Sequence, residues 1–242
     1  MKRLFLIGIS MFFLMWGVSS SWSYTISFSD DSVHWPSWPN RTSDDDKDVI
    51  GHPDLYGGTV EIEDGYLKKI TINFETWQSG WSYEFTDFFI DTDADSYWDY
   101  VVKLYTFDHC QGHGTTSGGE YKVYAIDVAE SSNDSYIMSY WGSGGYRENH
   151  PIALKKSVIN NSNFIGNAYF SGVSGGDNST YIKFSGLNIA LGEQFIIAWQ
   201  VQCANDVIYQ KIGNPIPEPA TFLLLGAGLL GLGGLRQRRK GS

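Results

Sequence analysis

Between about residue 58 and residue 212 the chain places apolar side chains at every second position in short runs, the period of a strand with one buried face. Leu67 to Phe74 states it most plainly, with Ile70, Ile72 and Phe74 on one face and Lys69, Thr71 and Asn73 on the other. Gly58–Ile62 precedes it, joined through Asp64-Gly65, a dipeptide suited to a tight hairpin turn. Trp81–Ile90, Trp98–Phe107, Glu120–Val128, Tyr136–Trp141, Asn167–Phe170, Tyr181–Phe184, Phe195–Gln202 and Val207–Ile212 read as further strands. β-Branched and aromatic residues fill these runs, and Gly, Asn, Ser and Asp separate them. Only Pro151 to Ile159 suggests a short helix. With no βαβ alternation and no internal repeat, the pattern predicts a single all-β domain, an antiparallel β-sandwich or jelly roll.

The two ends follow a different rule. Lys2 and Arg3 precede an almost unbroken apolar stretch from Leu4 to Val18, and Ser19-Ser20-Ser21-Trp22-Ser23 supplies the small residues signal peptidase requires. Fifteen apolar residues suit the core of a signal peptide better than a spanning helix. Residues 1–23 are therefore expected to be a leader cut after Ser23, and residues 24–213 the exported domain. At the other end Pro217-Glu218-Pro219 opens an apolar, glycine-laced run from Ala220 to Leu235, followed by Arg236, Arg238, Arg239 and Lys240. Sixteen residues fall a little short of a normal span of about 20, and flanking side chains can extend it by reaching to the interface. A buried core helix would rarely carry five glycines, each costing up to about 1 kcal/mol. The cationic cluster fixes orientation, with the arginines on the cytoplasmic side and everything before Pro217 on the other.

The order of Pro-Glu-Pro, apolar run and arginine cluster over residues 214–242 resembles the PEP-CTERM sorting signal of Gram-negative bacteria. The resemblance implies recognition by an exosortase, a membrane protease that cuts near Pro217–Pro219. It also implies transient anchoring in the inner membrane and delivery to the cell surface or beyond. Two body segments, Phe89–Asp95 continuing to Trp98–Val102, and Cys203–Ile208, resemble stretches of exosortase-dependent surface proteins. The label describes transport and carries no activity, so the function of the domain has to be argued from its sites.

Charge narrows the partners. Without leader and tail the chain keeps 11 Lys+Arg against 26 Asp+Glu, a net of −15. Such a surface repels nucleic acid, whose binding depends on cations that neutralise phosphate. It suits divalent cations, or solubility outside the cell. The two cysteines, Cys110 and Cys203, both fall in the exported part, where an isolated pair is expected to be oxidised to a disulfide. His109-Cys110-Gln111-Gly112-His113 leaves two other readings open, a thiol nucleophile beside a base and a zinc site.

Three constellations bear on function. Asp91, Asp93, Asp95 and Asp99 bring oxygen donors to one tight loop, where calcium wants six to eight. Ser96 and Val102 stand where an EF-hand needs glycine and a bidentate glutamate, so two readings remain: a hairpin loop that completes a calcium shell from elsewhere, and a solvated acidic tip. The second acidic run, Asp44-Asp45-Asp46-Lys47-Asp48, has the same two readings. The third is the aromatic surplus of nine Trp, fifteen Tyr and fourteen Phe. Trp35, Trp38, Trp77 and Trp81 near loops could offer flat platforms to sugars, although core packing uses the same residues. Glu61 and Glu63 are the one pair of acids on a strand face, with nothing around them that builds a glycosidase cleft. The sequence therefore points to a non-catalytic exported surface or matrix protein, associated with exopolysaccharide or biofilm. The alternative is a secreted carbohydrate-binding module or glycoside hydrolase on a lectin-like sandwich.

Overall fold

The computed structural model describes residues 21–33, 35, 48–49, 54–74, 85–104, 119–129, 137–139, 151–155, 158–159, 163–172, 181–201 and 206–215. Twelve strands run through them: β1 (Ser23–Phe28), β2 (Leu55–Glu63), β3 (Tyr66–Phe74), β4 (Phe88–Asp91), β5 (Tyr97–Lys103), β6 (Gly119–Ala129), β7 (Ile137–Ser139), β8 (Pro151–Leu154), β9 (Phe164–Gly172), β10 (Tyr181–Ala190), β11 (Gln194–Gln200) and β12 (Val207–Gly213). The described residues are all-β and antiparallel, as the periodicity predicts. Ten strands form one continuous sheet in the order β1-β2-β3-β10-β9-β6-β5-β4-β11-β12, and β7 pairs with β8 alongside it. Two stacked sheets were expected; ten of the twelve described strands make one sheet that curls on itself, and β7–β8 form a second, two-stranded one.

Burial drives the curl. One face of every strand in the large sheet contributes to a common core, including Val60, Ile62, Ile70, Ile72, Phe184, Phe170, Val123, Val102, Phe88, Ile197 and Ile208. Tyr24, Ile26 and Phe28 of edge strand β1 pack against the same core. A flat sheet cannot bring its first and last strands to one interior, so the edges approach and the sheet is nearly a barrel. No β-ladder joins β1 to β12; side chains close the gap instead. Leu55 N–H donates to Asp206 Oδ2 at 2.6 Å, Ser32 Oγ donates to Tyr209 O at 3.0 Å, and Tyr24 Oη bonds Asn214 Oδ1.

Local sequence explains the strand geometry. Asp64 and Gly65 both adopt positive φ, 52° and 80°, the conformation a two-residue hairpin needs between β2 and β3. Within β2, Gly57 has φ 81° and lies against β1, where a Cβ would sit 2.2 Å from Phe28 O. No other residue fits there, and the register of β2 on β3 shifts across this stretch.

The outer face of the sheet divides in two. Over β4, β5, β11 and β12 it is apolar and covered. Phe89, Trp98, Val101, Ile196, Ala198 and Val207 pack with Trp35 and with Leu154 of β8 in a second core. Pro151–Leu154 is thus a strand where the sequence suggested the start of a helix, because pairing with β7 and burial against β5 outweigh local preference. An ion pair docks this layer. Asp87 is buried and bonds Lys103 Nζ at 2.7 Å, and it accepts the N–H of Leu104 and of Leu154, each at 2.8 Å. Lys103 Nζ also donates to Leu154 O at 2.8 Å. Over β1, β2, β3, β10, β9 and the start of β6 the outer face is polar. Ser27, Thr59, Thr71, Lys183 and Ser171 are register partners in a row across five strands. Thr25, Glu61, Lys69, Ser185, Tyr169 and Glu120 form the next row.

Candidate functional site

The β4–β5 hairpin builds the one cluster of acids with ligand-like spacing among the described residues. β4 ends at Asp91 and β5 starts at Tyr97, so the chain reverses over five residues. Asp91 organises that reversal. Its Oδ1 accepts the N–H of Asp93 at 3.2 Å and of Ala94 at 2.7 Å, and its Oδ2 accepts the N–H of Ser96 at 3.2 Å. These bonds hold Ala94 and Ser96 at φ 58° and 81°, a backbone region that costs non-glycine residues of order 1–3 kcal/mol. Asp99 returns from β5 and accepts from Thr92, whose N–H lies 2.7 Å from its Oδ2. From the other side Gly192 N–H donates to Thr92 O at 2.7 Å. A Cβ at residue 192 would lie 3.1 Å from that oxygen, so glycine permits the approach.

Carboxylate oxygens of Asp91, Asp93 and Asp99 lie within 4.8 Å of one another, with Asp91 buried, Asp99 intermediate and Asp93 exposed. Burial pushes the Asp91 carboxyl up from its ordinary range, its backbone hydrogen bonds pull it down, and nearby Asp99 pushes it up again. Asp95 stands apart from the three; its Oδ1 accepts the N–H of Tyr97 at 2.9 Å. Of the four aspartates the sequence singled out, the fold brings three together and turns the fourth into a local cap. Both oxygens of Asp91 and one of Asp99 already accept protein hydrogen bonds, which leaves few free lone pairs for a cation that prefers six to eight oxygens.

The other candidates separate. Glu61 pairs with Lys69 on the open face, and Glu63 accepts from Ser21 Oγ at 2.9 Å, so neither faces a cleft with the other. Trp35 is buried between Phe89 and Trp98, with ring centroids 5.4 and 5.3 Å away, and serves the second core. Among the described residues the exposed aromatics are instead Tyr169 and Tyr181 on the open face and Trp22, Tyr56, Tyr66, Tyr97 and Phe164 near turns and strand ends. Their alternation with buried neighbours in β9 and β10 was the available signal. Asp48 lies within the described residues, and Asp44, Asp45 and Asp46 lie outside them. Cys110, Cys203, His109, His113, Trp38, Trp77, Trp81, the leader residues 1–20, and Pro217, Glu218, Pro219, Arg236, Arg238 and Arg239 also lie outside them.

Comparison with known proteins bears on the last of these segments. Residues 215–239 match the family model of the PEP-CTERM protein-sorting motif. No curated protein matches the chain, and no solved structure does. The matched stretch starts two residues after β12 ends, so the last strand of the domain runs straight into the motif. Such a motif implies recognition by an exosortase and export to the cell envelope. At its carboxyl end, then, this chain carries a PEP-CTERM protein-sorting motif over residues 215–239.

Proposed function

We propose that the protein is a non-catalytic component of the cell surface or extracellular matrix, carried outward by its two terminal signals and displayed as its β domain. The observation that carries this reading is the match at residues 215–239 directly behind the last strand. In this scheme signal peptidase cuts after Ser23, the first residue of β1. Tyr24, Ile26 and Phe28 then remain to pack on the core. The run from Ala220 to Leu235 rests briefly in the inner membrane with Arg236, Arg238 and Arg239 inward, and an exosortase cuts near Pro217–Pro219. In the oxidising compartment Cys110 and Cys203 form a disulfide, a bond that a mass shift on reduction would reveal.

The open face of the sheet is the part of the domain we assign to extracellular polysaccharide. Its hydroxyl, amide and charged groups alternate with Tyr169 and Tyr181, about half exposed at 55% and 46%. Aromatic rings flanked by hydrogen-bonding groups are what a sugar surface engages. The covered half, with β7–β8 laid over the sheet, supplies the sandwich-like part of the architecture. These exposed tyrosines also favour a second reading, a secreted carbohydrate-binding module or hydrolase. The Asp91–Asp93–Asp99 loop is proposed as a weak calcium site that would rigidify the hairpin.

The test of sorting uses the full chain with an epitope after Ser242, expressed with and without an exosortase. We expect loss of the epitope only when the enzyme is present, and retention when Pro217–Pro219 is deleted. Recovery of the intact chain from the cytosol in both hosts would refute the scheme. Sedimentation with the producing cell's polysaccharide tests the domain, and release of reducing ends would favour the hydrolase. Calorimetric titration of calcium, repeated on Asp93→Ala, tests the ion; an absence of heat in the parent removes it.

A further inference from the structure

One carboxyl group, Asp206, bonds across the seam where the ends of the curled sheet meet, and a second, Asp30, lies beside it. Asp206, the residue just before β12, is completely buried. Its Oδ2 accepts the N–H of Leu55, the first residue of β2, at 2.6 Å, and its Oδ1 accepts the N–H of Val207 at 2.8 Å. Asp30, just after β1, lies on the same seam. Its Oδ1 accepts the N–H of Ser32 at 3.1 Å, and the Ser32 hydroxyl donates to Tyr209 O of β12. Gln210 of β12 donates to that same hydroxyl oxygen at 3.3 Å. Asp30 Oδ2 is buried with no hydrogen-bond partner among the described residues. Asp48 acts electrostatically on both Asp30 and Asp206, and Asp31 and Asp54 act on Asp30. No cation among the described residues pairs with Asp30 or Asp206; Lys211 of β12 is exposed. Lys47 and His52, which flank Asp48 and Asp54 in sequence, lie outside the described residues.

A buried carboxylate without a cation is costly, and a second one beside it costs more. We propose that Asp206 and Asp30 form a proton-held latch across the seam, closed while they are neutral and loosened as they ionise. Burial first, and neighbouring carboxylates after it, push Asp206 up to about 8 and Asp30 up to about 7 against the hydrogen bonds that pull them down. The sign follows. The folded seam holds protons that an opened chain releases at the ordinary carboxyl value, so stabilisation is complete below that value. It is lost as pH rises through the folded values, and it is gone above about 8. A protein exported past the inner membrane meets the pH of its surroundings, so this range is one the latch would experience.

The test follows amide exchange at Leu55 and Val207, corrected for intrinsic rates, in the full-length chain held in non-ionic detergent with EDTA. From pH 5 to pH 8 the opening constant should rise by up to about tenfold per pH unit for each proton released, then level off. Asp91 is also raised, but it lies in the β4–β5 hairpin, and for that reason the readout is local. Asp206→Asn should flatten most of the slope. Asp30→Asn should remove about half of the slope below pH 7 and leave the part between about 7 and 8, and it decides the matter if Asp206→Asn does not fold. A flat profile in the parent, or an unchanged slope in Asp30→Asn, overturns the latch. So does restored protection at pH 8.5 when calcium replaces EDTA, since the cluster would then be a cation site.

Discussion

The two halves of the sheet's outer face share one interior yet are built on opposite terms. Over β1, β2, β3, β10 and β9 the outward positions are mostly Ser, Thr, Asn, Lys, Glu and Tyr, with Ile165 exposed among them, and along most of each strand they alternate with residues of the common core. Over β4 and β11 there is almost no alternation; all four residues of β4 and six of the seven in β11 are buried. The difference shows what the β7–β8 hairpin and Trp35 do. They cover a face that would otherwise be a large exposed apolar patch, a recognised aggregation liability. The polar half needs no such cover, and among the described residues none lies over it.

The sharpest way to break this contrast is to remove what holds the cover. Trp98 is fully buried, packs on Trp35 and Phe89, and reaches Tyr209 with centroids 6.1 Å apart. Trp98→Ala should cost about 3–5 kcal/mol in chemical denaturation, near the upper range for core truncations. Lys103→Ala should rank beside it. It removes the Lys103 ammonium from Asp87, whose side chain is fully buried, and breaking such a pair costs about 3–5 kcal/mol. Binding of a hydrophobic dye should rise in both variants as the apolar half is uncovered. A stable, dye-silent Lys103→Ala would mean that β7–β8 is held mainly by packing.

An intermediate effect is expected at the hairpin that leaves the covered half. Asp91→Ala removes the acceptor for three backbone N–H groups. A loss of about 1–3 kcal/mol is the usual cost of orphaning such donors. It should appear as faster amide exchange at Ala94 and Ser96, with Lys69 and Thr71 of the open half unchanged. Because Asp91 is pushed up by burial, the loop it ties should also weaken modestly as pH rises through that carboxyl's titration.

How far this organisation could be read in advance depended on the half. β3 and the start of β10 announced themselves, because one-sided burial writes a period of two into the sequence. β4 and β11 were recognisable as strands from their apolar runs, which fit burial on both faces. What covers them was not readable. Pro151–Leu154 is four residues long, and its role comes from Lys103 and Asp87, which lie 51 and 67 positions earlier than Leu154. The aspartates divide in the same way. Asp91, Asp93 and Asp99 stood out because a local loop gathers them, whereas Asp206 and Asp30 meet only when the sheet curls. An isolated Asp just before a strand has the composition of any turn, so nothing nearby marked Asp206 as buried. β10 runs past Phe184 to Ala190 through a register shift, with Gly186 at φ 76° and Asn188 at φ 53°, a bend the alternation rule does not foresee.

The smallest expected effect on stability is the one that sharpens the contrast most. Lys183 lies between Thr71 and Ser171 in register on the open half, and Tyr181 is 46% exposed on the same strand. Neither closes the core, so Lys183→Ser and Tyr181→Ser should each shift the unfolding midpoint by no more than the usual surface range, within about 0.5 kcal/mol. If the open face is where polysaccharide docks, the double variant should keep its fold and its exchange protection at Leu55. It should nevertheless sediment less with the producing cell's polysaccharide than Lys211→Ser, a substitution of an exposed cation on β12, at the other edge of the sheet. Equal sedimentation of the two would remove the open face from the binding account and leave its polar rows to serve solubility alone. A large loss of stability in the double variant would show instead that this half, too, has a cover.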